Sequence, residues 1–228
     1  MHPIFGNNPG RVKDPVAAFA KRQSPLVAAT YRDLMIEERA YRKQGTEKAL
    51  LKYDKSLERL QGAGFERHLR PHEAFGLLID GLEGKLTGQH QVIYGDMHSS
   101  YGEWLNLAIE RKGDLLVAYF DLVGLQWNSS ANKYDVQGRL QYAQKKEYDV
   151  AGKAADSWIS LEQFPSNFIE DMYSRPFAVL PEQMKTALVL MPLEGSIWPV
   201  CRGYYGFVIG NRVDDGASRG VHSAKKSP

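Results

Sequence analysis

The stretch EWLNLAIERKGDLLVAYFD, residues 103 to 121, constrains this chain more than any other. Its first half alternates. Leu105, Leu107 and Ile109 fall on one side, and Trp104, Asn106 and Ala108 on the other, the period of a β-strand. Its second half, DLLVAYFD at 114 to 121, reads as a strand buried on both faces. Arg111-Lys112-Gly113 between them is a tight-turn signal, with glycine supplying the dihedral that other residues resist. A three-residue turn sets Glu103 and Asp121 directly across the hairpin. Two carboxylates so placed raise the pKa of one or force one side chain outward into water.

Upstream the period changes. Residues 1 to 24, rich in Gly, Asn, Pro and basic groups, read as a loosely held arm. The pattern predicts a helix from Pro25 to Lys43, proline suiting the first turn, and another from Thr46 to Gln61. Leu50, Tyr53, Leu57 and Leu60 make one apolar stripe on the second. Gly45 separates the two and Gly62-Ala63-Gly64 ends the pair, which reads as an antiparallel helical hairpin. A third helix starts near Pro71 with Phe75, Leu78, Ile79 and Leu82 on one face. HQVIYGD, 90 to 96, reads as a strand.

Downstream, 139 to 150 is extended, 165 to 174 helical with Phe168 and Met172 on one face, and TALVLMP, 186 to 192, a buried strand. The tail, 214 to 228, has a disordered composition. The fold class is α+β: a single domain over 25 to 213, helical over 25 to 88 and sheet-rich over 89 to 213.

With 228 residues, 43% hydrophobic and 25% charged, the chain can bury a sizeable core. The net charge of +2 argues against a protein built to neutralise nucleic-acid phosphates. The basic arm (Arg11, Lys13, Lys21, Arg22) and the tail lysines are the features favouring nucleic acid. No apolar run reaches the length of a membrane span. A single cysteine permits no internal disulfide, so the expected compartment is a reducing one, the cytoplasm.

No phosphate-binding loop, dinucleotide fingerprint, HExxH or GxSxG is present. His68 and His72 have the i, i+4 spacing that chelates a metal on a helix. Pro71 between them favours an extended residue before it, so two histidines flanking a helix start is the simpler reading and no metal is expected. What remains is thiol chemistry, which needs a cysteine, an imidazole to take its proton and a carboxylate to orient the imidazole. Cys201, in SIWPVCRGYYGFVIG, is the only cysteine. His98 precedes the hairpin and Asp121 closes it. The opposing reading makes Cys201 a packed apolar residue. The glycines at 203, 206 and 210 disfavour a helix after it, and a second hairpin joining 186 to 192 with the Cys201 strand is the alternative.

The order His, Asp, Cys and this hairpin resemble the papain-like cysteine enzymes of the ubiquitin-like-protease type, closest to the YopJ family of bacterial effector acetyltransferases. Placing Asp121 at the family's acidic position and Gly113 at its turn glycine puts Glu103 at the histidine position, with His98 upstream. The resemblance implies Cys201 as nucleophile, His98 as base and Asp121 as orienting acid. It further implies acetyl-CoA or a ubiquitin-like protein as natural partners, and export into a host cell as an effector. The alternative is a non-enzymatic protein-binding adaptor, immunity or secretion accessory protein, presenting its helices or aromatic sheet to a protein partner.

Overall fold

The computed structural model describes residues 34–37, 52–62, 64–99, 102–131, 133–135, 140–195, 197–203, 205–209 and 220–223. The predicted arm at 1–24 lies outside them. The fold is α+β.

The hairpin forms as strands β3 (Glu103–Lys112) and β4 (Leu115–Gly124). Its register differs from expectation. Lys112 pairs with Leu115, so the loop is two residues long, with Gly113 at φ 58°, a dihedral that costs glycine little. Arg111 stays in the strand because its guanidinium is tied down, Nε donating to the Gly113 carbonyl (3.1 Å) and Nη2 to that of Lys153 (2.7 Å). The shift separates the two carboxylates: Asp121 comes beside Asn106 and Glu103 pairs with Arg202 on another strand.

The other strands in chain order are β1 (Leu34–Glu37), β2 (Arg67–His68), β5 (Gln126–Asn128), β6 (Lys133–Asp135), β7 (Gln141–Asp149), β8 (Trp158–Ser160), β9 (Leu188–Leu190), β10 (Ile197–Arg202), β11 (Phe207–Ile209) and β12 (Gly220–Ser223). Seven make one sheet in the order β7-β4-β3-β10-β11-β9-β8. All its neighbours are antiparallel except β11 and β9. The expected hairpin from 186–192 into the Cys201 strand is therefore corrected: β10 turns back through Gly203–Gly206 to β11, which inserts between β10 and β9. Close approach explains the room for it, because a β-carbon on Gly206 would collide with the Leu188 carbonyl.

The helices are α1 (Tyr53–Gly62), α2 (Pro71–Leu82), α3 (Gly88–Ser99), α4 (Ser166–Tyr173) and α5 (Glu182–Lys185). Helices α2 and α4 match their predicted apolar faces: Phe75, Leu78, Ile79, Phe168 and Met172 are all buried. The 90–96 strand is corrected to helix. Ile93 and Met97, four apart, are buried while Val92 is exposed, a helical period that the local apolar pair masks. Tyr94 of α3 packs so tightly on Gly81 of α2 that a β-carbon there would meet its ring. The helical hairpin of 25–61 is corrected in its described parts: 34–37 is strand β1, and the second helix starts at Tyr53; the remainder lies outside the described residues. Gly220–Ser223, expected in a disordered tail, forms a strand between β1 and β2.

Aromatic packing joins the layers. Phe75 of α2 meets Tyr173 of α4 at 4.4 Å between ring centroids and Phe207 of β11 at 4.7 Å, and Phe168 of α4 meets Phe207 at 6.0 Å. Pairs of this kind add about 0.5–1.5 kcal/mol each beyond the area they bury. A second group, Tyr53, Trp104, Trp127, Tyr134 and Trp198, ties α1 and the β5–β6 pair onto the sheet. Strand β3, at the centre of this packing, is buried along both faces.

Gly81 and Gly95 separate packing from propensity. Alanine in a helix gains about 1 kcal/mol over glycine. Gly95→Ala, with open space around it, is expected to stabilise by up to that amount. Gly81→Ala is expected to destabilise by about 1–3 kcal/mol, because the Tyr94 ring must move. Urea unfolding of both variants checks this, and a stabilised Gly81→Ala would refute the α2–α3 contact.

Candidate functional site

The mouth of the central hairpin holds a charged network. Asp121 is an L residue at φ 55°, a conformation that costs non-glycine residues energy. Beyond Leu107–Phe120 the β3–β4 pairing ends. The Asn106 amide instead donates to the Leu69 carbonyl at 2.7 Å, so β3 passes from β4 to the corner joining β2 to α2. That corner is RHLRPHE, 67 to 73. Arg70 Nε donates to Asp121 Oδ1 at 2.5 Å, and Asn106 Nδ2 reaches the same oxygen at 3.4 Å. The fully buried Glu73 takes two bonds of 2.7 Å from the Arg67 guanidinium and accepts the Arg70 backbone N–H at 2.8 Å, capping α2. Salt-bridged in this way, the arginines neutralise both carboxylates, which a buried charge requires.

Behind it, Ser56 Oγ and His68 Nε2 are 2.8 Å apart and both residues are fully buried. The pair has the first two members of a nucleophile–base–orienter set, yet among the described residues no hydrogen-bond partner reaches His68 Nδ1, and the residue is fully buried. Burial pushes the His68 imidazole down to about 3 and also lowers His72. Ser56–His68 is therefore a neutral structural bond. The two histidines lie on different elements, β2 and α2, and among the described residues no group of three or more His, Cys, Asp and Glu side chains could hold a metal.

Cys201 lies on β10, opposite Trp104 of β3 and Val208 of β11. It is buried, and a β-carbon on Gly102 would press on its sulfur at 2.9 Å. Burial pushes its thiol up to about 12, against the smaller opposing effect of the neighbouring Arg202 charge. Arg202 is itself fully buried, 3.5 Å from Glu103, and donates to the Gly203 and Met97 carbonyls at 2.8 and 3.0 Å. The last of these bonds holds the end of α3 beside β10. His98 is in that last turn, and its side chain lies outside the described residues. The fold thus brings the backbone of His98 toward the cysteine strand, while Asp121 is engaged by Arg70 and Asn106. The sequence reading missed Arg67, Arg70 and Glu73; the available signal was a glutamate three residues after the helix cap.

A cleft of about 390 Å³ opens at the other end of the sheet, between β8, β9 and the β10–β11 turn. Trp158, Leu188, Tyr205 and Phe207 give it an apolar lining, with Gln183 and Thr186 as its polar side chains; among the described residues no carboxylate, imidazole, amine or guanidinium lines it. Tyr173 of α4 fixes one wall by donating to the Tyr205 carbonyl at 2.8 Å.

Comparison of the chain with protein-family models, with curated proteins and with solved structures finds no match. Among the described residues no helix is long and apolar enough to cross a membrane.

Two outcomes test the network. Glu73→Gln leaves the part-buried Arg67 without its partner's charge, and is expected to cost about 3–5 kcal/mol in urea unfolding; a loss below about 1 kcal/mol would mean that the pair behaves as an exposed one. The histidines set a pH window. His68 stays neutral when folded down to about pH 3 but accepts a proton near 6.5 when unfolded. The unfolded chain therefore binds more protons between those values, and stability falls as pH drops below 6.5, by roughly 1 kcal/mol per pH unit for this group. Urea melts from pH 7 to pH 5 are expected to show that slope, and His68→Gln to flatten it; parallel slopes in the two proteins would contradict the assignment.

Proposed function

We propose that this chain is a non-catalytic protein-binding protein, and that its contact surface is the apolar end of the sheet at β8 and β9. The observation that carries this reading is the state of Cys201. A nucleophilic thiol needs a depressed pKa and access to substrate, and this one is buried in a strand with its pKa raised to about 12. The carboxylate that would orient a base, Asp121, is instead taken up by Arg70. Among the described residues, the open cleft is lined by no group that takes or gives a proton near neutral pH, which suits binding better than acid–base catalysis.

The competing reading, a cysteine acyltransferase or protease resembling the YopJ and ubiquitin-like-protease enzymes, requires Cys201 to reach solvent as a thiolate. Iodoacetamide alkylation separates the two. The native protein is expected to resist the reagent up to pH 9 or so, and to react at the ordinary rate once unfolded. Fast native alkylation with an apparent pKa below about 8.5, lost in His98→Ala, would replace the binding reading with the catalytic one.

A further inference from the structure

The two edges of the large sheet differ. Strand β7 carries Lys145, Lys146 and Glu147, charges that protect an edge from foreign strands. Strand β8, Trp158-Ile159-Ser160, carries none. Its pairing phase is set by three contacts with β9: Ile159 pairs with Val189, Leu161 N–H donates to the Ala187 carbonyl, and Met191 N–H donates to the Ser157 carbonyl. Hydrogen-bonded pairs alternate in an antiparallel ladder, so Ile159 turns its N–H and C=O toward β9. Trp158 and Ser160 turn theirs outward, where β8 ends the sheet among the described residues.

We infer that β8 pairs with β8 of a second copy of this chain, antiparallel about a two-fold axis at Ile159, to make one continuous sheet. The inference rests on the binding reading above and names its partner. In this register Trp158 of each copy lies opposite Ser160 of the other, and all the outward N–H and C=O groups of both residues are used. Side chains directly opposite share a face, and Ser160 already pairs with Leu188 on its other side. Each Trp158 thus leans across the small Ser160 of its partner onto Leu188, at the wall of the cleft. The exposures fit this arrangement: Trp158 is 46% and Leu188 48% exposed, while their neighbour Leu190 is buried. The same short strand supplies the large apolar side chain, the small residue that admits it and the edge that binds it, which is what a self-complementary two-fold contact requires.

Sedimentation equilibrium across the micromolar range tests this on the full chain. The wild type is expected to shift from monomer to twice the mass. Ser160 has φ −62°, the angle proline imposes, so Ser160→Pro removes an outward donor without disturbing β9. Ser160→Pro and Trp158→Ser are each expected to raise the dimer dissociation constant about 30-fold, as loss of a contact hot spot does. Val123→Ser, at an exposed position on β4, is expected to change nothing. Trp158→Ser keeps the test decisive if the proline variant fails to fold by circular dichroism. A wild type that stays monomeric, or a dimer unmoved by Trp158→Ser, overturns the inference. The thiol experiment can fail while the mass shift holds, and the reverse, so the two readings are judged separately.

Discussion

An L residue held in the left-handed region in the middle of a paired strand is the constraint on which this end of the molecule depends. Asp121 at φ 55° stops β4 following β3. The released edge of β3 is taken by Leu69, and Arg70, next in sequence, reaches Asp121. Strain of this kind persists only where surrounding contacts over-determine it. Here the contacts are the arginine, Asn106 and the Glu73 cap that fixes the start of α2. Helix α2 then sets the position of α4 through Phe75 and Tyr173, and of α3 through Gly81.

The same logic governs the buried charges. Arg202, wholly inside, joins Glu103 to the carbonyls of Met97 and Gly203, tying a helix end, a strand end and a turn. An ion pair so deep contributes little net stability but is costly to break, so it enforces one arrangement of those segments. That arrangement presses Gly102 on Cys201 and closes the thiol away from water. The chain's single cysteine is thereby buried on a strand with neighbours on both sides.

Sheet edges show where this fold leaves binding capacity. Strand β7 is guarded by Lys145, Lys146 and Glu147, and Lys146 and Tyr148 are further tied to Asp171 of α4. Strand β8 has a tryptophan at its start, an apolar cleft beside it and outward amides at Trp158 and Ser160. Unprotected edges are hazards that sequences usually suppress, and this unguarded one beside exposed apolar side chains is the feature on which the proposed contact is built.

Local periodicity by itself determined the elements whose signal is local. Strand β3 follows from alternation, β4 and β9 from short apolar runs, and helices α2 and α4 from apolar residues three and four apart, because side-chain direction within an element depends only on its own backbone. The α+β class follows from their order. Tertiary structure decided everything set by residues distant in the chain. It made 90–96 helical through Ile93, Met97 and the Gly81 slot, and moved the hairpin register by anchoring Arg111 to Lys153. It placed β11 between β10 and β9, gave Asp121 to Arg70 and buried Cys201. Charge partners, burial and free edges are properties of contacts, and contacts exist only after the strands have been ordered in the sheet.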